Sequence, residues 1–256
     1  MLKNVILNLE ERVKFDNSKN LPNSFRMLLV GSSGCGKTTL LFQMLLEPDF
    51  IDYNNLLIFT TTTNQQEYQL LYHGFSNGLT KEQIASIAIN QKDFKGVPIP
   101  ILCKTFHELT QQSNLNILPI SVQLSDNINN IPPPDKLDIN KKHLIIFDDC
   151  INNMNQSVMN SYYSRSRHNS CNCIYLSQSY FDLDRSIRLN ANFVILFKLS
   201  KRNLNDVYNS VVGTIMPKDR FTLLAENTWS NKYQYIAVDR ENDKIIIDVF
   251  TDSDGD

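Results

Sequence analysis

The sequence predicts an α/β fold built on a mostly parallel sheet with helices on both faces. Three observations predict it. Unbroken apolar runs recur along the chain, the pattern of strands buried on both sides: "FRMLLVG" (25–31), "NLLIFTTT" (55–62), "HLIIFDDC" (143–150), "NCIYLSQ" (172–178) and "NFVILFKL" (192–199). Helix-forming stretches lie between them. A glycine-rich segment joins the first run to the first helix.

Taken in order, residues 3–15 read as an opening strand, and 25–31 as the first buried one. "KTTLLFQMLL" (37–46) follows as a helix, stopped by Pro48. Residues 55–62 form the second buried strand. Residues 64–90 read as mainly helical, with Thr80 and Gln83 spaced as a capping box that opens "KEQIASIAI". The pattern then decays. "SDNINNIPPPDKLD" (125–138), with its three consecutive prolines, reads as a loop or linker. Residues 143–150 restore order as a strand ending in two aspartates, and a polar helix is expected around 153–164. Strands at 172–178 and 192–199 complete the parallel set. "YQYIAVDRENDKIIIDVF" (233–250) reads as a β-hairpin turning near Glu241 and Asn242, ahead of an acidic tail. One domain is expected over 1–256, with a core at about 25–200 and an extension bearing the hairpin at about 201–250.

Composition narrows the function. Hydrophobic residues make up 42% and charged residues 20%, which is globular rather than disordered. A net charge of −2 gives no global basic signature, so any nucleic-acid contact has to be local. Arg185, Arg188, Lys198, Lys201 and Arg202 form such a local concentration, interrupted by Asp182 and Asp184; a solvated charged face would read the same. No signal peptide and no membrane span is expected, because the opening residues alternate and carry charge early. The five cysteines lack metal spacing: Cys171 and Cys173 are too close for a usual zinc pair, and His168 does not complete a ligand set. Reduced thiols in an intracellular compartment are the expectation.

"LLVGSSGCGKTTLL" (28–41) carries the chemistry, placing three of the eight glycines in the order G-x-x-x-x-G-K-T between a strand and a helix. Glycines let backbone N–H groups converge on phosphate oxygens, and the helix N-terminus adds the positive end of its dipole. Gly31, Ser32, Ser33, Gly34, Cys35, Gly36, Lys37, Thr38 and Thr39 are therefore expected to cradle ATP, with the Lys37 charge on the β- and γ-phosphates and the Thr38 hydroxyl on Mg²⁺. Asp148, ending a buried strand, is the second expected Mg²⁺ residue, and Asp149 the group that polarises the attacking water. Gln178 follows another strand at the end where open α/β sheets bind ligands, so it suits a γ-phosphate sensor. Upstream of it, Arg165 and Arg167 could act on a neighbouring subunit's phosphates or be ordinary surface arginines.

These motifs, and above all "SRSRHNSCNCIYLSQSYFDLDRSIRLNANFVILFK" (164–198), resemble the DNA-packaging ATPases of poxviruses, giant viruses, virophages and polinton-like elements, within the FtsK–HerA superfamily of P-loop ATPases. The resemblance covers roughly residues 25–200. It implies a homo-oligomeric ring that hydrolyses ATP to translocate double-stranded DNA, independently of sequence, into a capsid. It makes Lys37 and Thr38 the Walker A residues, Asp148 the Walker B aspartate, Gln178 the sensor and Arg167 the trans-acting arginine finger. Asp149 departs from the glutamate usual in the wider superfamily. A capsid or portal-vertex protein is the implied partner, and the host cytoplasm or viral factory, with virion association possible, the implied place. Two alternatives stay open: a non-packaging DNA pump or helicase on the same fold, and a P-loop kinase acting on a small substrate.

Overall fold

The computed structural model describes residues 13–90, 94, 96–110, 119–150 and 156–251. Its strands are β1 (Arg26–Val30), β2 (Asn55–Thr60), β3 (Ser121–Ser125), β4 (His143–Asp148), β5 (Cys171–Ser177), β6 (Phe193–Phe197), β7 (Tyr235–Asp239) and β8 (Lys244–Ile246). The helices are α1 (Lys37–Leu46), α2 (Gln66–Ser76), α3 (Lys81–Ile89), α4 (Ile99–Thr110), α5 (Gln156–Arg165), α6 (Arg185–Asn190), α7 (Lys201–Val207) and α8 (Lys218–Thr228). All eight strands join one sheet in the order β3-β2-β4-β5-β1-β6-β7-β8. β1 to β6 are parallel, and the β7–β8 hairpin extends the same sheet antiparallel beside β6.

Alternate residues of each central strand enter different cores. In β1, Met27 and Leu29 pack with α1 to α4, whereas Leu28 and Val30 pack with α5 to α8. Two covered faces leave no exposed position for a polar side chain, which is why these strands read as continuous apolar runs. The expected strands at 25–31, 55–62, 143–150, 172–178 and 192–199 all form, with ends within two residues of the expectation. So does the hairpin, whose turn is fixed by the Asp239 carboxylate accepting the N–H groups of Glu241 and Asn242 at 2.9 and 3.1 Å. The Thr80–Gln83 capping box is present in both directions and starts α3.

Other expectations need correction or fall elsewhere. The opening strand at 3–15 lies almost wholly outside the described residues, and 13–15 belong to no strand. The helix expected around 153–164 is α5, whose expected first residues, 153–155, lie outside the description, as does the acidic end of the chain at 252–256. Between 90 and 140 there is more order than the pattern predicts. α4 sets Ile99, Leu102, Cys103 and Phe106 at helical spacing against the first core, although Pro100 stands in its first turn. β3 is a sheet edge with one neighbour, and its half-exposed "SVQLS" lacks the apolar signature of its inner companions. The proline-rich segment is a loop but not a linker: Ile128, Ile131 and Leu137 anchor it to the second core.

Losing the Thr80 hydroxyl removes the acceptor for the Gln83 N–H, at 3.3 Å, and one half of the capping box. Thr80→Ala is expected to lower unfolding free energy by about 1 kcal/mol, read from the urea midpoint at unchanged slope.

Candidate functional site

β1 ends at Val30 and the glycine-rich loop follows at the carboxyl edge of the sheet. The Gly31 N–H donates to the Ser177 carbonyl at 3.1 Å, tying the loop to the end of β5. A Cβ on Gly31 would sit 2.6 Å from Phe197 Cβ and 2.7 Å from Cys35 Sγ, so the loop can lie on the sheet only without a side chain there. Gly36, immediately before α1, takes φ 105°, a left-handed value open to glycine. Lys37 folds back over the loop, its ammonium donating to the carbonyls of Gly31 at 2.6 Å and Ser32 at 3.0 Å. The charge is thus held inside the ring of backbone that the loop makes.

Asp148 is the last residue of β4 and is buried, with 7% of its surface exposed. Burial pushes its carboxyl above the usual carboxylate range. A hydrogen bond from Tyr68 opposes that, Asp149 adds to it, and Lys37 opposes it again. The Tyr68 hydroxyl donates to Asp148 Oδ2 at 2.6 Å. Burial first, and the carboxylate second, push the tyrosine well above its ordinary value, so it stays protonated and remains a donor. Asp149, next along, is exposed and holds φ 53°. Among residues with a Cβ, Asp and Asn tolerate that left-handed conformation best. The backbone conformation at this position therefore suits the aspartate that stands there.

These groups meet in one cleft of about 390 Å³ at the carboxyl ends of β1, β4 and β5. Ser33, Gly34, Gly36, Lys37, Thr38 and Thr39 form one wall; Asp148 and Asp149 form another; Ser177 and Gln178 close the end of β5. Sequence reading did not place Thr62, Gln65 or Tyr233 here, yet all three line the cleft, as does Glu67, the alternative carboxylate to Asp149. Tyr68, which grips Asp148, was also missed: it carries no local motif, and its partner is 80 residues away in the chain.

Arg167 lies elsewhere. It sits in a 3₁₀ turn ahead of β5, exposed, at the amino edge of the sheet. The length of β5 separates it from the cleft, on the order of 20 Å. Arg165 ends α5 on the same side, also exposed. The basic run does not form one patch. Arg185 and Arg188 lie on α6, which leads into the amino end of β6, while Lys198, Lys201 and Arg202 follow its carboxyl end. Arg188 is also engaged, with its guanidinium 5.5 and 5.2 Å from the ring centres of Tyr180 and Phe181. All five cysteines are free thiols, with Cys171 and Cys173 buried in β5.

The donor set suits a polyphosphate with a hard divalent cation. Backbone N–H groups, an ammonium and a helix N-terminus serve the phosphates. A hydroxyl (Thr38) and a carboxylate with one oxygen already oriented (Asp148) are the oxygen ligands Mg²⁺ prefers. No helix among the described residues is long and apolar enough to cross a membrane.

Comparison with known proteins gives one family match and a set of similar folds. A family model described as Poxvirus A32 protein matches residues 12–84, the segment from β1 through the glycine-rich loop into α3. Curated proteins give no sequence match. The fold is similar to that of the genome packaging NTPase B204 from Sulfolobus turreted icosahedral virus 2 in complex with sulfate, at TM-score 0.54 and 11% identity over 88% of this chain and 96% of that one. The AMP complex of the same NTPase gives TM-score 0.51 and 12% identity over 89% and 98%. The crystal structure of B204, the DNA-packaging ATPase from Sulfolobus turreted icosahedral virus, gives 0.52 and 11% over 86% and 94%. The chain has the P-loop NTPase fold, a mostly parallel sheet between helices with an added antiparallel hairpin.

Tyr68→Phe keeps the buried ring and removes only the hydroxyl that orients Asp148. Partners of metal-binding groups typically contribute about 10- to 100-fold in metal affinity or activity. The expected result is a rise of that order in the Mg²⁺ concentration giving half-maximal ATP turnover, with little change in melting temperature. An unchanged Mg²⁺ requirement would leave Tyr68 as a core residue only.

Proposed function

We propose that this protein is an Mg²⁺-dependent ATPase that drives double-stranded DNA into a viral capsid, working as a homo-oligomeric ring of the FtsK–HerA type. The observation that carries the reading is the single cleft where Lys37, Thr38, Asp148, Asp149 and Gln178 converge while Arg167 stands at the opposite edge of the sheet. A small-substrate kinase needs its charge-neutralising groups around its own phosphates; here the candidate finger faces away from them. The family match at residues 12–84 supports the packaging assignment.

Each residue has a role on this reading. The loop from Gly31 to Thr39 holds the phosphates, and Lys37 exchanges its contacts with the Gly31 and Ser32 carbonyls for the β- and γ-phosphate oxygens. Thr38 and Asp148 would hold Mg²⁺, which neutralises phosphate charge when bound. Asp149 orients water and accepts its proton as attack proceeds. Gln178 reaches from the end of β5 toward the γ-phosphate. Arg167 projects into the cleft of the next subunit and stabilises charge that develops in transfer. Double-stranded DNA is gripped through its phosphates, and a capsid or portal-vertex protein receives the motor, within the host cytoplasm or viral factory.

The direct test is ATP turnover with and without DNA. Unrelated double-stranded DNAs are expected to stimulate it alike, with stimulation falling steeply as salt rises because counterion release drives phosphate binding. Lys37→Ala is expected to abolish turnover, and Asp149→Asn to slow it by about 10²–10⁴-fold while nucleotide binding persists. Stimulation by a small metabolite and not by DNA would replace the motor with a kinase.

The finger has its own test. Arg167→Ala and Lys37→Ala proteins, each nearly inactive, are expected to recover hydrolysis when mixed, since an intact loop then meets an intact finger from the next subunit. Fingers contribute about 10³–10⁵-fold, so partial recovery stands clear of background. Arg165→Ala is the control and is expected to retain most activity. Full activity of Arg167→Ala alone, or no recovery in verified mixed oligomers, would remove the trans role.

A further inference from the structure

Tyr233 is exposed, strained and close to the glycine-rich loop. It lies in the turn between α8 and β7, with 65% of its surface exposed and φ 68°. That left-handed conformation is unfavourable for an aromatic residue, and glycine would take it freely. Both flanks hold the turn in place. Behind it the Trp229 indole donates to the Leu196 carbonyl at 3.3 Å, and ahead of it the Tyr235 hydroxyl accepts the Val249 N–H at 3.2 Å. The ring lines the cleft next to the start of α1, with its Cδ1 3.3 Å from where a Cβ on Gly36 would stand. No hydrogen bond to its hydroxyl occurs among the described residues.

We propose that Tyr233 is the platform on which the base of the bound nucleotide stacks. The inference rests on the reading of the loop as a phosphate site. N–H groups at the start of α1 hold the phosphates, so the nucleoside must leave the cleft past that helix terminus, where the Tyr233 ring is waiting. Stacking uses the face of an aromatic ring, needs no hydrogen-bond code, and gains from a ring that is already ordered. Phe197, its ring centre 5.8 Å from that of Tyr235, lies against the same glycine, with Cε1 3.6 Å from where a Cβ on Gly36 would stand. The strain at Tyr233 is then the cost of holding an aromatic face at the mouth of the site.

Calorimetric titration with Mg·ADP and with magnesium pyrophosphate separates the base from the phosphates without turnover. Tyr233→Gly is expected to weaken ADP on the order of tenfold, the usual scale for losing one base–aromatic stack, and to leave pyrophosphate unchanged. Its melting temperature should be equal or higher, because glycine relieves the left-handed strain. Tyr233→Phe should bind both ligands as the wild type does. Equal losses for ADP and pyrophosphate would mean that the ring props the loop, and no loss for either would mean that it touches no nucleotide; each result overturns the platform alone. Wild-type protein that binds neither ligand would overturn the phosphate site and the platform with it.

Discussion

The register of β1, β5 and β4 is the constraint on which the cleft depends. Val30 pairs with Ser177, and Leu176 pairs with Asp148, so the glycine-rich loop, the Gln178 end of β5 and the acidic end of β4 emerge level with one another. A slip of one residue in β4 would turn Asp148 to the opposite face and take it from Tyr68 and the cleft. Such a slip would also exchange the two cores, because Leu144 and Ile146 belong to one cluster and Ile145 and Phe147 to the other. The site is thus protected by the whole hydrophobic pattern of the sheet rather than by its own polar contacts.

Two asparagines at the other edge hold β1 in that register. Asn172, ahead of its β5 pairing, accepts the Phe25 N–H at 2.9 Å, and Asn192, just before β6, accepts the Arg26 N–H at 2.7 Å. Each flanking strand therefore supplies a side-chain acceptor where the ladder begins. Asn172 is fully buried and its Nδ2 has no partner among the described residues. An unmet donor of that kind costs about 1–3 kcal/mol, an expense an apolar residue would avoid. A fixed starting point for the central strand is the physical return for it.

The fold was legible because its inner strands announce themselves. Runs such as "LIIF" before Asp148 can be buried only on both faces, and the glycines before Lys37 mark a strand-to-helix crossing. The Thr80–Gln83 box was legible for the same reason: its partners are close in sequence. What escaped was made of distant or half-exposed parts. β3 has one neighbour and needs only half an apolar pattern, and α4 carries its regular apolar face behind a proline-bearing first turn. Tyr68 and Tyr233 reach the site from helix α2 and from the hairpin side, joined to it by topology alone. Their residue types are those of any core or surface, so no local signal separates them.

The same sheet geometry explains why the proposed machinery is split between its two ends. Parallel strands put their carboxyl termini at one edge, which gathers helix N-termini, carboxylates and loop N–H groups at the cleft, where Lys37 is the one cation among the described lining residues. Their amino termini gather at the other edge, where Arg167 stands exposed beside Arg26, whose guanidinium burial, and then the charge of Arg167, hold below its ordinary value despite favourable neighbours. No bend of a five- to seven-residue strand brings that edge to its own cleft. On the proposed reading a head-to-tail contact between copies would do so without altering the fold, and contacts of that kind close into rings when the rotation between neighbours permits. Arginine supplied this way also arrives only when the next subunit is seated, so hydrolysis becomes conditional on assembly. On this argument the ring is the means by which an α/β sheet, with one chemistry at each edge, completes a single active site.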